Sequence, residues 1–201
     1  MMDRHAHWQG LYTTKEDTAL SWFQARPTTS LKLIQELVQP GSRVVDVGGG
    51  TSRLVDNLVD WGYRVTVLDI AEAALATSSA RLGDRAGQAE WVATDVTKWR
   101  PQCSFDLWHD RAVFHFLTDG ADRSAYAAVM SGAVKSGGYA VIGTFTLNGP
   151  ERCSGLPVCR YDPVGLATEF IGFELIEALT EDHRTPGGNI QNFQFSILRR
   201  F

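Results

Sequence analysis

The sequence predicts an α/β protein built on a mostly parallel sheet that ends in an antiparallel hairpin. Short apolar runs rich in β-branched residues alternate with helical stretches for most of the 201 residues. This alternation is typical of a parallel sheet with helices on both faces. Near the C-terminus, two apolar runs are separated only by "RTPGGN" (184–189), a turn-rich stretch that favours a β-hairpin. We therefore expect a parallel sheet that is completed by an antiparallel pair of strands.

A segment of different character precedes the first strand. We expect residues 1–39 to form N-terminal helices that act as a lid or cap, and residues 40–201 to form the main domain of one compact unit. In "TSLKLIQELVQPG" (29–41), apolar residues recur at helical spacing until Pro40 and Gly41. This pattern predicts an amphipathic helix that ends just before the sheet begins.

The remainder of the chain divides into seven strands and the helices between them. In chain order, the predicted elements are strand 43–47, helix 51–62, strand 64–70, helix 71–83, strand 90–96, strand 105–112, helix 122–134, strand 138–145, strand 173–183 and strand 190–201. Most of these strands are short and largely apolar, as expected where helices cover both faces of a sheet.

The composition argues against several classes of protein. Hydrophobic residues make up 44% and charged residues 21% of the chain, which is typical of a folded globular protein. The formal net charge is −4 and the basic residues are scattered, so we expect no nucleic-acid partner. The N-terminal region lacks the continuous apolar core of a secretory signal, and no later stretch reaches the length of a membrane span. We therefore expect a cytoplasmic protein with no membrane partner.

The cysteines are expected to be free thiols. There are three of them, Cys103, Cys153 and Cys159, and an odd number suits a reducing compartment rather than a disulfide framework. Cys153 and Cys159 have C-x5-C spacing instead of the C-x2-C spacing of common zinc sites, and the sequence shows no third ligand. We expect no metal ion, while a thiophilic acceptor near these two thiols stays an open alternative.

A glycine-rich turn follows the first strand in "VVDVGGGTSRLVD" (44–56). Gly48, Gly49 and Gly50 let the backbone turn tightly and bring its amides against a ligand near the start of the next helix, which predicts a nucleotide-like ligand. A dinucleotide fingerprint would need Gly or Ala at position 53, which is Arg53, and a P-loop would need a lysine that the turn lacks. Asp46 would repel a pyrophosphate but can face a cationic group.

The pattern Asp46-x-Gly48-x-Gly50 resembles the first motif of the class I S-adenosylmethionine (SAM)-dependent methyltransferases. Later landmarks of that family follow in the same order: Asp69 at the end of the second strand, Asp95-Val96 at the end of the third, the stretch "FDLWHDRAVFHFL" (105–117), and the closing hairpin. The resemblance covers about residues 40–201. It implies a Rossmann-like, seven-stranded fold and an enzyme that uses SAM and releases S-adenosylhomocysteine (SAH). Ser52 stands where the family often has a third glycine.

The resemblance also implies a set of cofactor contacts. They are Asp46, Gly48, Gly49, Gly50 and Ser52 in and around the turn, Asp69 at the ribose, Ile70 next to it in sequence, Asp95 and Val96 at the adenine, Tyr12 and Trp22 on the lid, and Asp110. Asp69 follows the turn by about twenty residues, the distance at which an acidic group meets a ribose diol. Alternatively, Asp95 only starts a turn through local hydrogen bonds, and the two aromatic residues only pack in the core instead of facing the sulfonium.

The catalytic candidates are Asp110, Arg111 and His115. Asp110 and Arg111 interrupt an apolar strand at its C-terminal end, where open α/β sheets bind ligands. We expect both at the mouth of the cleft, with Asp110 orienting the methionyl amino group or the acceptor and Arg111 paired with Asp110 or with a carboxylate. A structural ion pair is the alternative. His115 is the candidate base, and a buried, hydrogen-bonded histidine is the alternative there.

These observations predict a SAM-dependent methyltransferase whose acceptor is a small molecule. A protein lysine is the alternative acceptor, because the Trp22-Phe23 pair resembles a feature of some lysine methyltransferases. Two hypotheses from other classes are an NAD(P)-binding oxidoreductase and a SAM-binding module without catalytic activity.

Overall fold

The fold was examined in a computed structural model that describes residues 3–201. Met1 and Met2, the first two residues of the predicted lid segment, lie outside the described residues. The helices are α1 (Arg4–Thr14), α2 (Thr28–Leu37), α3 (Leu54–Asp60), α4 (Glu72–Leu82), α5 (Gly120–Ala133) and α6 (Pro163–Ala167). The strands are β1 (Arg43–Val47), β2 (Arg64–Asp69), β3 (Ala89–Ala93), β4 (Phe105–Arg111), β5 (Val134–Phe145), β6 (Arg152–Cys153), β7 (Leu156–Pro157), β8 (Phe173–Arg184) and β9 (Ile190–Arg200).

A seven-stranded sheet with the order β3-β2-β1-β4-β5-β9-β8 forms the centre of the molecule. Strands β1 to β5 pair in parallel, whereas β9 is antiparallel to both β5 and β8. This arrangement confirms the predicted Rossmann-like α/β fold with an antiparallel C-terminal hairpin. The strand order reverses between β1 and β4, and such a reversal opens a crevice at the carboxyl ends of these two strands.

Apolar side chains on the two faces of the sheet form two cores. Val44 belongs to the core that contains Leu31 and Leu58 from α2 and α3. Val45 belongs to the opposite core, which contains Met130 from α5. Successive residues of a strand point to opposite faces, so the valines of β1 contribute to both cores. The core fixes the strand ends that carry the candidate site.

Several elements differ from the prediction. Helix α3 is shorter than the predicted 51–62, because Thr51 to Arg53 continue the turn, where Ser52 Oγ accepts a hydrogen bond from Leu54 N at 3.1 Å. Strand β5 starts at Val134, directly after α5. The chain between β5 and β8 forms a two-stranded hairpin of β6 and β7 and then α6, none of which was predicted.

The unpredicted helix α6 has a recognisable start signal. Asp162 caps the helix by accepting a hydrogen bond from Gly165 N at 2.7 Å, and a proline occupies the first turn. An acidic N-cap followed by proline is a common beginning of a helix. Among residues 3–201, no helix combines the length and the apolar character that crossing a membrane requires.

Candidate active site

A cavity with about 860 Å³ of empty space, part of it open to solvent, lies at the carboxyl ends of the parallel strands. Trp8 and Tyr12 of α1 and Trp22 from the following segment line one side of it. The predicted site residues that line this cavity are Tyr12, Trp22, Gly48, Asp69, Ile70, Asp95, Val96 and Arg111. A smaller cavity shares Trp22, Gly48 and Arg111 with the first and is also lined by Asp46, Gly49 and Ser52. Eleven of the fourteen predicted site residues therefore line one or both of these adjoining cavities.

The glycine turn is closely packed against its neighbours. Gly48 and Gly50 have φ values of +66° and +51°, which favour glycine. A Cβ atom on Gly48 would come within 2.0 Å of Val113 Cγ2, and one on Gly50 within 2.5 Å of the Tyr12 hydroxyl oxygen. The amides of Gly48 and Gly49 both donate to Leu68 O, at 2.7 and 3.2 Å. The expectation that these two amides face a ligand is therefore wrong.

One carboxylate oxygen of Asp46 is hydrogen-bonded, and the other has no partner among the described residues. Its Oδ1 lies 2.7 Å from His109 Nδ1, and His109 Nε2 lies 2.9 Å from Ser30 Oγ. All three residues are buried. Asp46 Oδ2 is also buried and has no hydrogen-bond partner among the described residues. Because a buried carboxylate oxygen without a partner is costly, this atom is suited to a cationic or hydrogen-donating ligand group in the smaller cavity.

Asp69 ends β2 at the wall of the larger cavity. Its Oδ1 accepts a hydrogen bond from Ala71 N at 2.8 Å. Burial raises the pKa of Asp69 to about 6, an effect strengthened by the charge of Asp46 and opposed by backbone hydrogen bonds from Ala71, Gly50 and Ile70. Burial, followed by the charge of Asp69, also raises the pKa of the Tyr12 hydroxyl. At neutral pH Asp69 is thus a charged acceptor that faces the cavity.

Asp95 lines the cavity and also has two structural partners. Its Oδ1 accepts from Thr97 N at 2.9 Å and from Thr97 Oγ1 at 2.7 Å, which starts a short 3₁₀ turn. Its Oδ2 lies 3.3 Å from Arg4 Nη2, and Arg4 Nη1 lies 3.1 Å from Asp122. The local turn that the sequence left as an alternative is therefore present, together with an ion pair that ties α1 to the main sheet.

Asp110 lines neither cavity, so its expected position at the mouth of the cleft is wrong. Its Oδ1 accepts from Val113 N at 2.8 Å, and its Oδ2 accepts from Phe114 N at 3.0 Å and from the Tyr126 hydroxyl at 2.5 Å. Burial raises the pKa of Asp110 to about 6. Both oxygens shape the turn after β4, in which Ala112 has a φ of +74°.

Arg111 lines both cavities and pairs with Glu181 instead of Asp110. Its Nη1 donates to Trp22 O at 3.2 Å, and its guanidinium lies 4.4 Å from the centre of the Phe193 ring. The distance from Nη2 to Glu181 Oε1 is 3.6 Å, too long for a hydrogen bond. Burial lowers the pKa of Arg111 to about 10, so the group stays protonated at neutral pH.

His115 also lies outside both cavities, and its expected position beside an acceptor is wrong. Its ring packs against Phe116 and Phe145, with centroids 4.5 and 4.8 Å away. Neither ring nitrogen has a hydrogen-bond partner among the described residues. Burial, together with the charge of Arg111, lowers the pKa of His115 to about 3. The ring is thus a neutral part of the core, and it lacks the hydrogen bonds of the alternative interpretation.

Several cavity residues were missed by sequence reasoning. They are Arg4, Trp8, Val47, Leu68, Thr94, Ala112, Val113, Phe116, Leu117, Gln191 and Phe193. Cys153, which the sequence left as an alternative contact of a thiophilic acceptor, also lines the cavity. Gln191 and Phe193 alternate along β9, and that alternation could have placed them on one face together. Nothing in the sequence shows that α1 and β9 meet at one cavity. Cys159 does not line it, and among residues 3–201 no group of three or more potential ligands is arranged to hold a metal ion.

Comparison with protein families identifies a methyltransferase domain over residues 44–138. This range contains the glycine turn, Asp69 and Asp95. A curated relative, the eEF1A lysine and N-terminal methyltransferase of Mus musculus, is 28% identical over 119 residues, which are 56% of this chain and 16% of that protein. The chain thus spans about a sixth of the length of the curated relatives it matches.

Two solved structures share the fold over nearly the whole chain. The N-methyltransferase NodS from Bradyrhizobium japonicum, in complex with SAH, has a TM-score of 0.75 at 15% identity and covers 98% of this chain and 99% of its own. The 1,6-didemethyltoxoflavin-N1-methyltransferase of Burkholderia thailandensis, with bound 1,6-didemethyltoxoflavin and SAH, has a TM-score of 0.70 at 20% identity and covers 97% and 84%. The domain match and the shared fold confirm the resemblance to the class I SAM-dependent methyltransferases, whose cofactor is SAM and whose product is SAH.

Proposed function

We propose that this methyltransferase acts on a small molecule that binds between Trp8, Trp22, Phe116 and Phe193 in the larger cavity. The observation that carries the proposal is the position of α1, whose side chains line the cavity at Trp8 and Tyr12. An acceptor would therefore lie beneath a helix, in a space bordered by aromatic rings. In this proposal the segment that ends at residue 39 acts as a lid that excludes water from the reacting atoms.

The residues around the two cavities fit the chemical groups of SAM. We assign Asp69 to the ribose hydroxyls, because it is a charged acceptor at the cavity wall. Asp95, Val96 and Ile70 are assigned to the adenine. The unpartnered Oδ2 of Asp46 suits the methionyl ammonium group. The Cβ positions of Gly48 and Gly50 are already occupied by Val113 and by the Tyr12 hydroxyl, so a side chain at either glycine would displace residues that line the larger cavity.

Catalysis in this proposal depends on binding and orientation. When bound, SAM supplies a methyl group on a positively charged sulphur. Trp8, Tyr12 and Trp22 provide aromatic surface that favours a cation by about 0.5–2 kcal/mol. Neither Asp110 nor His115 lines the cavity, so they are not assigned as bases. Alignment of the acceptor is then the main source of rate enhancement, worth about 7–11 kcal/mol in the best cases.

A protein lysine or N-terminal amine is the second candidate acceptor. The curated relatives, which bear the name eEF1A lysine and N-terminal methyltransferase, favour it. The match to the mouse protein covers only 56% of this chain. The position of α1 over the cavity favours the smaller acceptor.

The test is transfer of radiolabelled methyl groups from SAM into a fractionated cell extract. We expect label in the small-molecule fraction and no transfer by the Asp69→Ala variant. The Asp84→Ala variant, which changes an exposed aspartate outside both cavities, is the matched control and should transfer label normally. Label only in protein would contradict the small-molecule proposal and support the second candidate.

A further inference from the structure

We infer that the acceptor is a small anion, and that Arg111 anchors its negatively charged oxygen. This inference rests on the proposed function and deepens it, because it names the chemical class of the acceptor. It concerns the end of the larger cavity at Arg111, Cys153, Gln191 and Phe193, which we call the Arg111 end.

The first argument is that Arg111 has hydrogen-bond donors without acceptors. Its Nε and Nη2 atoms are buried and have no hydrogen-bond partner among the described residues. The side chain as a whole is only 11% exposed. Leaving donors of a buried cation unpaired is costly. A guanidinium presents these donors in a planar fork that matches a carboxylate or a similar anion. A ligand anion would satisfy both atoms.

The second argument is that Arg111 can bind a further negative charge, because the carboxylate paired with it is held only loosely. Glu181 is the one carboxylate paired with it, and their 3.6 Å separation makes the pair loose. Gln24 Nε2 donates to the same Glu181 oxygen at 3.0 Å. Asp17 and Asp46 line the smaller cavity that Arg111 also borders.

The aromatic groups packed near Arg111 are uncharged. The Phe193 ring holds the guanidinium from one side. His183 and His115 both have lowered pKa values, caused first by burial and then by the charge of Arg111, so neither adds a positive charge at neutral pH.

The third argument is that an anion needs no base from the protein. Burial raises the pKa of both Tyr12 and Cys153, so both are protonated at neutral pH. An acceptor that arrives as a carboxylate supplies its own electron pair. That pair forms the bond from oxygen to the methyl carbon while the electrons of the carbon–sulphur bond remain on sulphur, and no proton is transferred. The products are an ester and SAH.

The test compares an anion with its neutral isostere on the full-length protein saturated with SAH. Benzoate is the anionic probe, benzamide is its neutral isostere and benzylamine is a cationic comparison. All three carry a phenyl ring because the cavity is lined with aromatic rings. Dissociation constants are measured by NMR titration. We expect benzoate to bind about tenfold more tightly than benzamide, and the Arg111→Gln variant to lose this preference. Arg184→Gln removes an exposed arginine from the same strand as Glu181 and is the matched control that should keep it.

Misfolding of the Arg111→Gln variant would also abolish its preference for benzoate. A second variant is therefore used in which benzoate binding should become tighter. Glu181→Gln removes the competing carboxylate and should tighten benzoate binding about threefold, as the loss of a loosely paired charge implies. Gln191→Glu places a carboxylate where Gln191 Oε1 is buried without a partner, and should weaken benzoate binding.

Two results would overturn the inference. The first is that wild-type protein binds benzoate no more tightly than benzamide while it binds SAH normally. The second is that Arg111→Gln weakens binding of SAH but not of 5′-methylthioadenosine, which lacks the amino-acid portion, because Arg111 would then serve the cofactor. The binding assays do not depend on turnover. A failure to find methyl transfer to any small molecule would therefore contradict the proposed function separately.

Discussion

Three buried aspartates end neighbouring strands of the sheet, yet their surroundings give them different tasks. Asp110 uses both oxygens on backbone amides and the Tyr126 hydroxyl, so it shapes a turn. Asp46 uses one oxygen on His109 and keeps the other free. Asp69 faces the larger cavity with a raised pKa. At the scale of single residues, the free oxygens decide which carboxylate can serve a ligand.

Replacing Gly48 by alanine is expected to destabilise the protein through a steric clash. The new Cβ atom would lie 2.0 Å from Val113 Cγ2. Gly62 is the matched control, since its φ of +80° is also positive but nothing lies within 4 Å of its Cβ position. In urea denaturation, Gly48→Ala should lose about 1–3 kcal/mol more of the free energy of unfolding than Gly62→Ala. Equal losses would show that only backbone strain matters.

The raised pKa of Asp69 predicts that SAH binding depends on pH. In the free protein this carboxylate becomes protonated as the pH falls below about 6, and a protonated carboxyl group is a weaker acceptor for ribose hydroxyls. Calorimetric affinity for SAH should therefore fall about tenfold between pH 7 and pH 5.

An asparagine variant of Asp69 shows whether this residue, rather than another titrating group, causes the pH dependence of SAH binding. Asp69→Asn should bind SAH more weakly at pH 7 and lose most of the pH dependence, whereas Asp84→Asn should behave like the wild type. Asp110, whose pKa is also about 6, is present in every variant and does not line the cavity. A steep fall in affinity that persists in Asp69→Asn would contradict the ribose assignment.

Among the α-helices of residues 3–201, α1 is the one without a buried residue. It packs against α4, where Gln9 Oε1 accepts from Ala73 N at 3.1 Å. Arg4 adds ion pairs to Asp95 and Asp122. An element held by polar contacts and partly exposed aromatic rings can open at low cost, which suits a lid over the cofactor site.

Loss of the Arg4 ion pairs is expected to loosen α1 without unfolding the protein. Each partly exposed pair contributes about 0.2–1 kcal/mol, so Arg4→Gln should speed hydrogen exchange in peptides covering residues 4–14 about fivefold. Added salt should accelerate this exchange in the wild type and have less effect in the variant. Lys32→Gln, which breaks an exposed pair with Glu36 on α2, is the control. Unchanged exchange in Arg4→Gln would show that the aromatic contacts alone hold α1.

At the scale of the whole molecule, buried titratable groups act on stability in opposite directions. Asp69 and Asp110 have raised pKa values of about 6, so their contribution to stability is present at low pH and is lost as the pH rises through 6. His115 and His183 have lowered pKa values. Their neutral forms favour the folded state above the ordinary histidine pKa of about 6.5, and this contribution is lost as the pH falls. The opposing effects predict a shallow stability profile between pH 7 and pH 5.

Replacing His115 by phenylalanine should reveal how Asp69 and Asp110 affect the pH dependence of protein stability. The variant no longer loses stability through protonation of that ring in the unfolded chain. Its free energy of unfolding, measured by urea denaturation, should therefore rise by about 2 kcal/mol relative to the wild type when the pH is lowered from 7 to 5. His5→Gln, which removes an exposed imidazole on α1, controls for loss of a surface histidine. Parallel profiles for wild type and His115→Phe would contradict the lowered pKa.

The sequence by itself determined the fold and the cofactor class. Short apolar runs and the helical stretches between them determine which segments form the sheet, and the glycine turn with Asp46 and Asp69 lies within one contiguous stretch of chain. Such signals are local, so they can be recognised without knowing which distant segments meet. The hairpin turn at 184–189 is local in the same way, and β8 and β9 flank it.

Only the tertiary structure decided which side chains reach the cavity. Asp110 and Arg111 are adjacent in sequence, yet strand alternation and the turn after β4 direct one into the core and the other into the site. Arg111 meets Trp22 and Glu181, 89 and 70 residues away along the chain. His115 is buried and lies outside both cavities. Burial and contacts between distant segments depend on how the whole sheet packs, which is why local patterns could name these residues but could not assign their roles.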